Sequence, residues 1–133
     1  MMMKYGKAIL FDGVPELLSI LKNEGCYIAL ASTGSTSHVS TALNASGIYH
    51  LFEVIECNHA DKAAMVEEII KKEPCGEWLI VGDKTSDLLA GTANNIITVA
   101  ARYGFGNEDE VSQFMYGIEY PLQLIEVIKK SIK

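Results

Sequence analysis

The chain has 133 residues, 49% of them hydrophobic and 21% charged, which suits one globular domain spanning 1–133 that buries roughly 70% of its unfolded surface without disulfide or metal staples. Eleven basic residues against seventeen acidic ones leave a formal charge of −6, so the electrostatic footprint of a nucleic-acid or anionic-membrane partner is missing. No apolar run approaches the roughly 20 residues that cross a bilayer, and Cys26, Cys57 and Cys75 are odd in number without a CxxC spacing. Reduced thiols in a cytoplasmic protein are expected.

In chain order, short apolar runs alternate with amphipathic stretches. Strands are predicted at 7–11, 26–31, 53–56, 77–81 and 96–100, and helices at 15–24, 37–45, 62–72, 86–94, 108–115 and 121–130. Pro15 suits a first helical turn and Gly25 a stop, with Leu17, Leu18 and Leu21 on one face. Asp61 precedes Met65, Val66, Ile69 and Ile70 at helical spacing, as an N-cap does. The second, fourth and fifth runs are continuously apolar, the mark of strands covered on both faces. The pattern predicts an α/β sandwich with a mostly parallel sheet and right-handed crossovers. Met1, Met2 and Met3 read only as alternative start positions.

Ligands of open α/β sheets bind beyond the carboxyl ends of the strands. There the second strand runs into Ser32, Thr33 and Gly34, and the fourth into Gly82-Asp83-Lys84-Thr85-Ser86-Asp87, while Lys62 opens the helix between them. Hydroxyls and outward-pointing amides at a strand-to-helix turn suit a phosphate, although Ser35, Thr36 or Ser37 as an ordinary helix cap accounts for the same residues. Asp83 at a strand tip and Asp87 in the first helical turn offer hard oxygens to Mg²⁺. The plainer alternative makes Asp83 a turn residue and Asp87 a complement to the helix dipole. Lys62 either counters phosphoryl charge or is solvated. Cys57, His59, His50 and Cys75 fit no four-ligand zinc spacing, and Gly104-Phe105-Gly106 lacks the context of a dinucleotide fingerprint.

Taken in this order, Ser32 at the end of 28–33, Lys62, the GDxxxD run 82–87, the run 90–96 and the run 103–106 with Asp109-Glu110-Val111 resemble the haloacid dehalogenase superfamily, and within it the phosphoglycolate phosphatase-like members. The resemblance implies a three-layer α/β sandwich on a mostly parallel five-stranded sheet with a Rossmannoid core. It implies a small phosphorylated metabolite or inorganic phosphate as ligand, Mg²⁺ as cofactor, Ser32, Thr33, Gly34 and Lys62 on the phosphoryl oxygens, and Asp83 and Asp87 on the metal. Lys62 would also count among the catalytic groups.

The sequence departs from that family at its nucleophile. A DxDGT segment is absent; Asp12 imitates the first aspartate only in ending the apolar run 8–11, Val14 occupies the second position, and 12–18 resembles the helix start before the family's second motif. No cap separates Asp12 from the helix at Pro15. Two readings follow: the carboxyl-terminal two thirds of a capped phosphatase, or a naturally reduced, non-catalytic module that keeps the phosphate and metal loops. A receiver-like domain is a third, disfavoured because its acids come first and its lysine last. Three structural expectations follow. Residues 7–11 take the first-strand slot, the four residues Ser32, Lys62, Asp83 and Asp87 share one crevice, and apolar surface left by the missing cap favours a homo-oligomer.

Overall fold

The computed structural model describes residues 2–3, 14–32, 35–45, 47–57, 61–72, 77–103 and 107–131. Its strands are β1 (Met2–Met3), β2 (Ala29–Ala31), β3 (Val54–Glu56), β4 (Leu79–Gly82), β5 (Ile97–Ala101) and β6 (Tyr116–Ile118). They form one six-stranded sheet in the order β3-β2-β1-β4-β5-β6, and every neighbouring pair is parallel. The helices are α1 (Val14–Asn23), α2 (Thr36–Ala45), α3 (Lys62–Lys72), α4 (Thr85–Ala93), α5 (Glu108–Val111) and α6 (Leu124–Ser131).

Three layers follow from the period of two along each strand. Leu30, Leu79, Val81 and Val99 face one way and pack with Leu17, Leu18 and Leu21 of α1, Val39 and Leu43 of α2, and Leu124 and Val127 of α6. Ala29, Ala31 and Ile80 face the other way, against Met65, Val66 and Ile69 of α3 and Ala90 of α4, with Trp78 edge-on to Tyr27 at 5.6 Å closing that side. A smaller cluster of Ala100, Val111 and Phe114 carries α5. Gly91 lets α4 lie flat on the sheet, since a Cβ there would come 2.4 Å from Thr98 Cγ2 and 2.9 Å from Ile80 Cγ2. Among the described residues the elements run in order without an inserted second domain.

Four expectations need correction. The sheet has six strands rather than five: residues 116–118 pair with β5, and the helix predicted over 108–115 stops at Val111. Buried Thr98 explains this, because its Oγ1 accepts the Met115 amide at 3.0 Å and steers the chain onto the sheet edge. The slot between β2 and β4 is filled by Met2–Met3, in register with Ala29–Leu30 and Ile80–Val81; residues 7–11 lie outside the described residues. A start-position reading therefore misses what Met2 and Met3 do, which is to supply the central backbone pairing that two buried strands require. The last helix opens with a 3-10 turn at Pro121–Gln123, as suits a proline that fixes φ and donates no N–H.

Candidate functional site

Because all the strands are parallel, Ser32 after β2, Asp83 after β4 and Arg102 after β5 emerge on one edge of the sheet, and α3 and α4 begin there. Ser32 is 2% exposed and its amide donates to the Glu56 carbonyl at 3.0 Å, extending the β2–β3 pairing by one residue. Ser32 and Asp83 stand on either side of the β1 slot, two strand spacings or about 10 Å apart. Thr33, Gly34 and Asp12 lie outside the described residues. Ser35 caps α2 through a bond from the His38 amide at 3.2 Å, which is the plainer role foreseen for it.

Lys62 is the first residue of α3, placed by Asp61, whose Oδ1 accepts the Ala64 amide at 3.2 Å. Its ammonium is not solvated: Lys62 is 5% exposed, and its Nζ lies 3.1 Å from Asp87 Oδ1 and 3.4 Å from Ser86 Oγ. Asp87 has no exposed surface at all. Its second oxygen, Oδ2, accepts the Asp83 amide at 3.1 Å and the Lys84 amide at 3.2 Å, which caps α4 from inside its first turn. Lys62 and the Asp83 backbone are thus held by the two oxygens of one carboxylate, and the 82–87 turn and the start of α3 form a single unit. Ser32 shares the edge with that unit.

Three neighbours lie within the runs quoted from the sequence but had no role assigned there. Ser86 is the hydroxyl under Lys62; its only sequence signal is its place one residue before Asp87. Tyr103 follows β5, and burial together with the charge of Asp83 pushes its phenol up to about 12. Glu110 joins α5 to α4: its Oε2 accepts the Thr85 amide at 2.9 Å and Thr85 Oγ1 at 3.0 Å, while its Oε1 accepts the Asn107 amide at 3.3 Å. Those bonds, the one from the Thr85 amide foremost, hold the Glu110 carboxyl below its ordinary range. The capping spacing from Asn107 to Glu110 was a visible signal; the link to Thr85, 25 residues away, was not.

Among the described residues no three His, Cys, Asp or Glu side chains gather as a metal set. Burial raises the Cys26 thiol, as expected of an inert, partly covered cysteine. Among the described residues, no helix is long and apolar enough to cross a membrane.

The sequence profile of a family described as haloacid dehalogenase-like hydrolase matches residues 2–101. A phosphoglycolate phosphatase of Haemophilus influenzae is 32% identical over 103 residues, covering 72% of this chain and 46% of that protein. A 5′-nucleotidase of Pseudomonas aeruginosa is 28% identical over 110 residues, covering 76% of this chain and 49% of the relative. The chain spans about half the length of these curated relatives. In three dimensions a haloacid dehalogenase-like family hydrolase from Streptococcus pneumoniae superposes with a TM-score of 0.80 at 22% identity, over 90% of this chain and 60% of that one.

Proposed function

Because the chain belongs to the haloacid dehalogenase-like hydrolase family, we propose that it holds the phosphoryl group of a small phosphorylated metabolite, or inorganic phosphate, on a phosphoglycolate phosphatase-like core whose own ester hydrolysis is impaired. The observation that carries this reading is Lys62: a buried ammonium at the carboxyl edge of a parallel sheet, fixed by Asp87 and Ser86. A cation desolvated in this way acts on an incoming phosphoryl group with far less screening than a surface lysine does. Ser32, with the amides of Thr33 and Gly34, would take the remaining phosphoryl oxygens. Impairment rests on the missing carboxylates. Phosphoryl transfer through an aspartyl intermediate needs a nucleophile and a separate acid; Asp12 is one carboxylate, and Val14 gives and takes no proton.

The family generally uses Mg²⁺. Here the described residues make only part of a donor set, Asp83 beside an Asp87 already bonded to three protein donors. A cytoplasmic setting goes with this reading, supported by the thiols and the absence of a long apolar run. A homo-oligomer, expected from apolar surface left without a cap, belongs to the same reading, and a strictly monomeric sedimentation profile at high concentration would remove that part.

The test is phosphate release from an aryl phosphate with Mg²⁺, together with orthophosphate binding followed by phosphorus NMR. Near-background turnover and phosphate binding that Lys62→Met abolishes are expected. Substantial turnover lost in Asp12→Asn would make Asp12 a working nucleophile and overturn the impairment, and a chain that binds no phosphate would overturn the site.

A further inference from the structure

We propose that Tyr103 is a specificity-determining residue of the carboxyl edge: it faces the ester group of a bound phosphomonoester, and the ester group it favours is neutral and hydroxyl-bearing rather than a carboxylate. The inference rests on the phosphate site proposed above and adds a class of ligand to it. The first observation is register. Gly82 of β4 lies beside Ala100 of β5, so Asp83 and Ala101 make the next pair and Tyr103 follows two residues on. Leu30, Val81, Val99 and Ala101 share one face of the sheet, and the Tyr103 ring packs against the same cluster. By the period of two, Ser32 and Asp83 belong to that face as well. Tyr103 thus stands one strand spacing beyond Asp83 and three, or about 14 Å, from the line of β2. A phosphoryl group on Ser32 is out of its reach, and what that group carries is within it.

The second observation is that Tyr103 is held in place before any ligand arrives. The Arg102 amide donates to the Ile118 carbonyl at 3.0 Å, and Glu110 accepts the Thr85 amide and hydroxyl, tying the segment after Tyr103 to the turn that carries Asp83. Fixed placement is what lets one side chain discriminate between ligands. The third is charge. Among the described residues at these tips, each cation already faces a carboxylate: Lys62 has Asp87, Lys84 helps to lower the Glu110 carboxyl, and Arg102 lies 3.1 Å from Glu108 and 3.6 Å from Glu119. Arg102 is seated on Gly117, where a Cβ would come 2.6 Å from its Nε. A carboxylate on the ligand would meet Asp83 without a cation to receive it, whereas a hydroxyl brings no charge. Tyr103, a neutral phenol over the working pH range, can donate to such a group or accept from it.

Binding of three probes, followed by phosphorus NMR, tests this: orthophosphate, glycerol 2-phosphate with its neutral ester group, and phosphoglycolate with its carboxylate. The unaltered chain binds glycerol 2-phosphate more tightly than phosphoglycolate. Its Tyr103 ring cross-peaks, assigned with Tyr103→Phe, shift on adding glycerol 2-phosphate and stay in place with orthophosphate, a reading free of any folding defect. Tyr103→Phe keeps the ring in the cluster and weakens glycerol 2-phosphate binding about two- to tenfold, the scale of one neutral hydrogen bond, while orthophosphate binding stays close to that of the unaltered chain. Equal or tighter binding of phosphoglycolate, ring cross-peaks indifferent to the ester, or a Tyr103→Phe variant that loses orthophosphate as much as glycerol 2-phosphate overturns the proposal. A chain that binds no orthophosphate overturns the phosphate site itself; one that binds orthophosphate and treats the two esters alike overturns only the role of Tyr103.

Discussion

Helix α3 carries lysines at both ends, and they sit in opposite surroundings. At its start the Lys62 side chain is 4% exposed and its partner Asp87 not at all. In its last turn Lys71 lies 3.1 Å from Glu67 and 3.5 Å from Glu68, and Lys72 lies 2.7 Å from Glu56, all with side chains from about one third to more than half exposed. The contact distances are similar, yet the consequences differ. A surface pair gains little over hydration and is weakened by salt, whereas a buried pair is held by the cost of leaving either charge alone in a low-dielectric interior. The Lys71 ammonium is raised above its ordinary value chiefly by its hydrogen bond to Glu67, and Lys72 by its bond to Glu56. These shifts describe local attraction at a helix end that already suits cations.

The largest test of this contrast is to remove one partner of the buried pair. Lys62→Ala or Asp87→Ala is expected to cost about 3–5 kcal/mol in urea unfolding, since each strands the other charge. The double change Lys62→Met with Asp87→Leu should recover most of that loss but not the roughly 1 kcal/mol that the carboxylate contributes as a helix cap. If the single and double variants are equally unstable, the pair is not what holds α3 to α4.

Next in size is Gly82→Ala. Its new methyl meets the Asp87 side chain at 2.3 Å, and overpacking of this kind costs about 1–3 kcal/mol. A neutral result in the same unfolding assay would show that the carboxylate moves easily, which would weaken the burial argument.

Tyr103 extends the comparison to a group that is neutral at working pH. Its phenol titrates at about 12 in the fold, burial being the main cause and the Asp83 charge the second, against about 10 in an unfolded chain. The fold's preference for the neutral form is therefore fully present below pH 10 and is lost as pH rises from there toward 12. Of the six tyrosines, Tyr103 should be the last to ionise by phenolate absorbance, and Tyr103→Phe should remove that last step. Asp83→Asn should lower the step only slightly, because burial dominates.

The smallest expected effect is at the other end of α3. Lys71→Ala or Lys72→Ala should leave the unfolding midpoint at neutral pH unchanged within error. Because both pKa values are raised in the fold, whatever these pairs contribute is present below the ordinary lysine pKa and disappears only as pH climbs through the raised one. A clear, salt-insensitive loss in either variant would break the contrast between the two ends.

The sequence by itself determined the features that depend on near neighbours. The 3.6-residue spacing of Met65, Val66 and Ile69 marked α3 from Lys62 to Lys72, and Asp61 marked its cap. Continuous apolar runs placed β4 and β5 inside two layers. The order of loops along a parallel sheet puts residues 32, 62, 83 and 87 toward one edge. Tertiary structure decided the rest. Met2–Met3 and Tyr116–Ile118 are strands of two and three residues, too short to carry a period, and they exist because a neighbouring strand offers its unpaired backbone. Whether Lys62 is solvated or buried could not be read from its neighbours in sequence, where Asp61 suggested a surface charge. The answer lies 25 residues away, in a carboxylate whose oxygens divide between that lysine and two amides of its own turn; a burial cost of that kind is set by the packing of α3 on α4, to which local sequence contributes nothing.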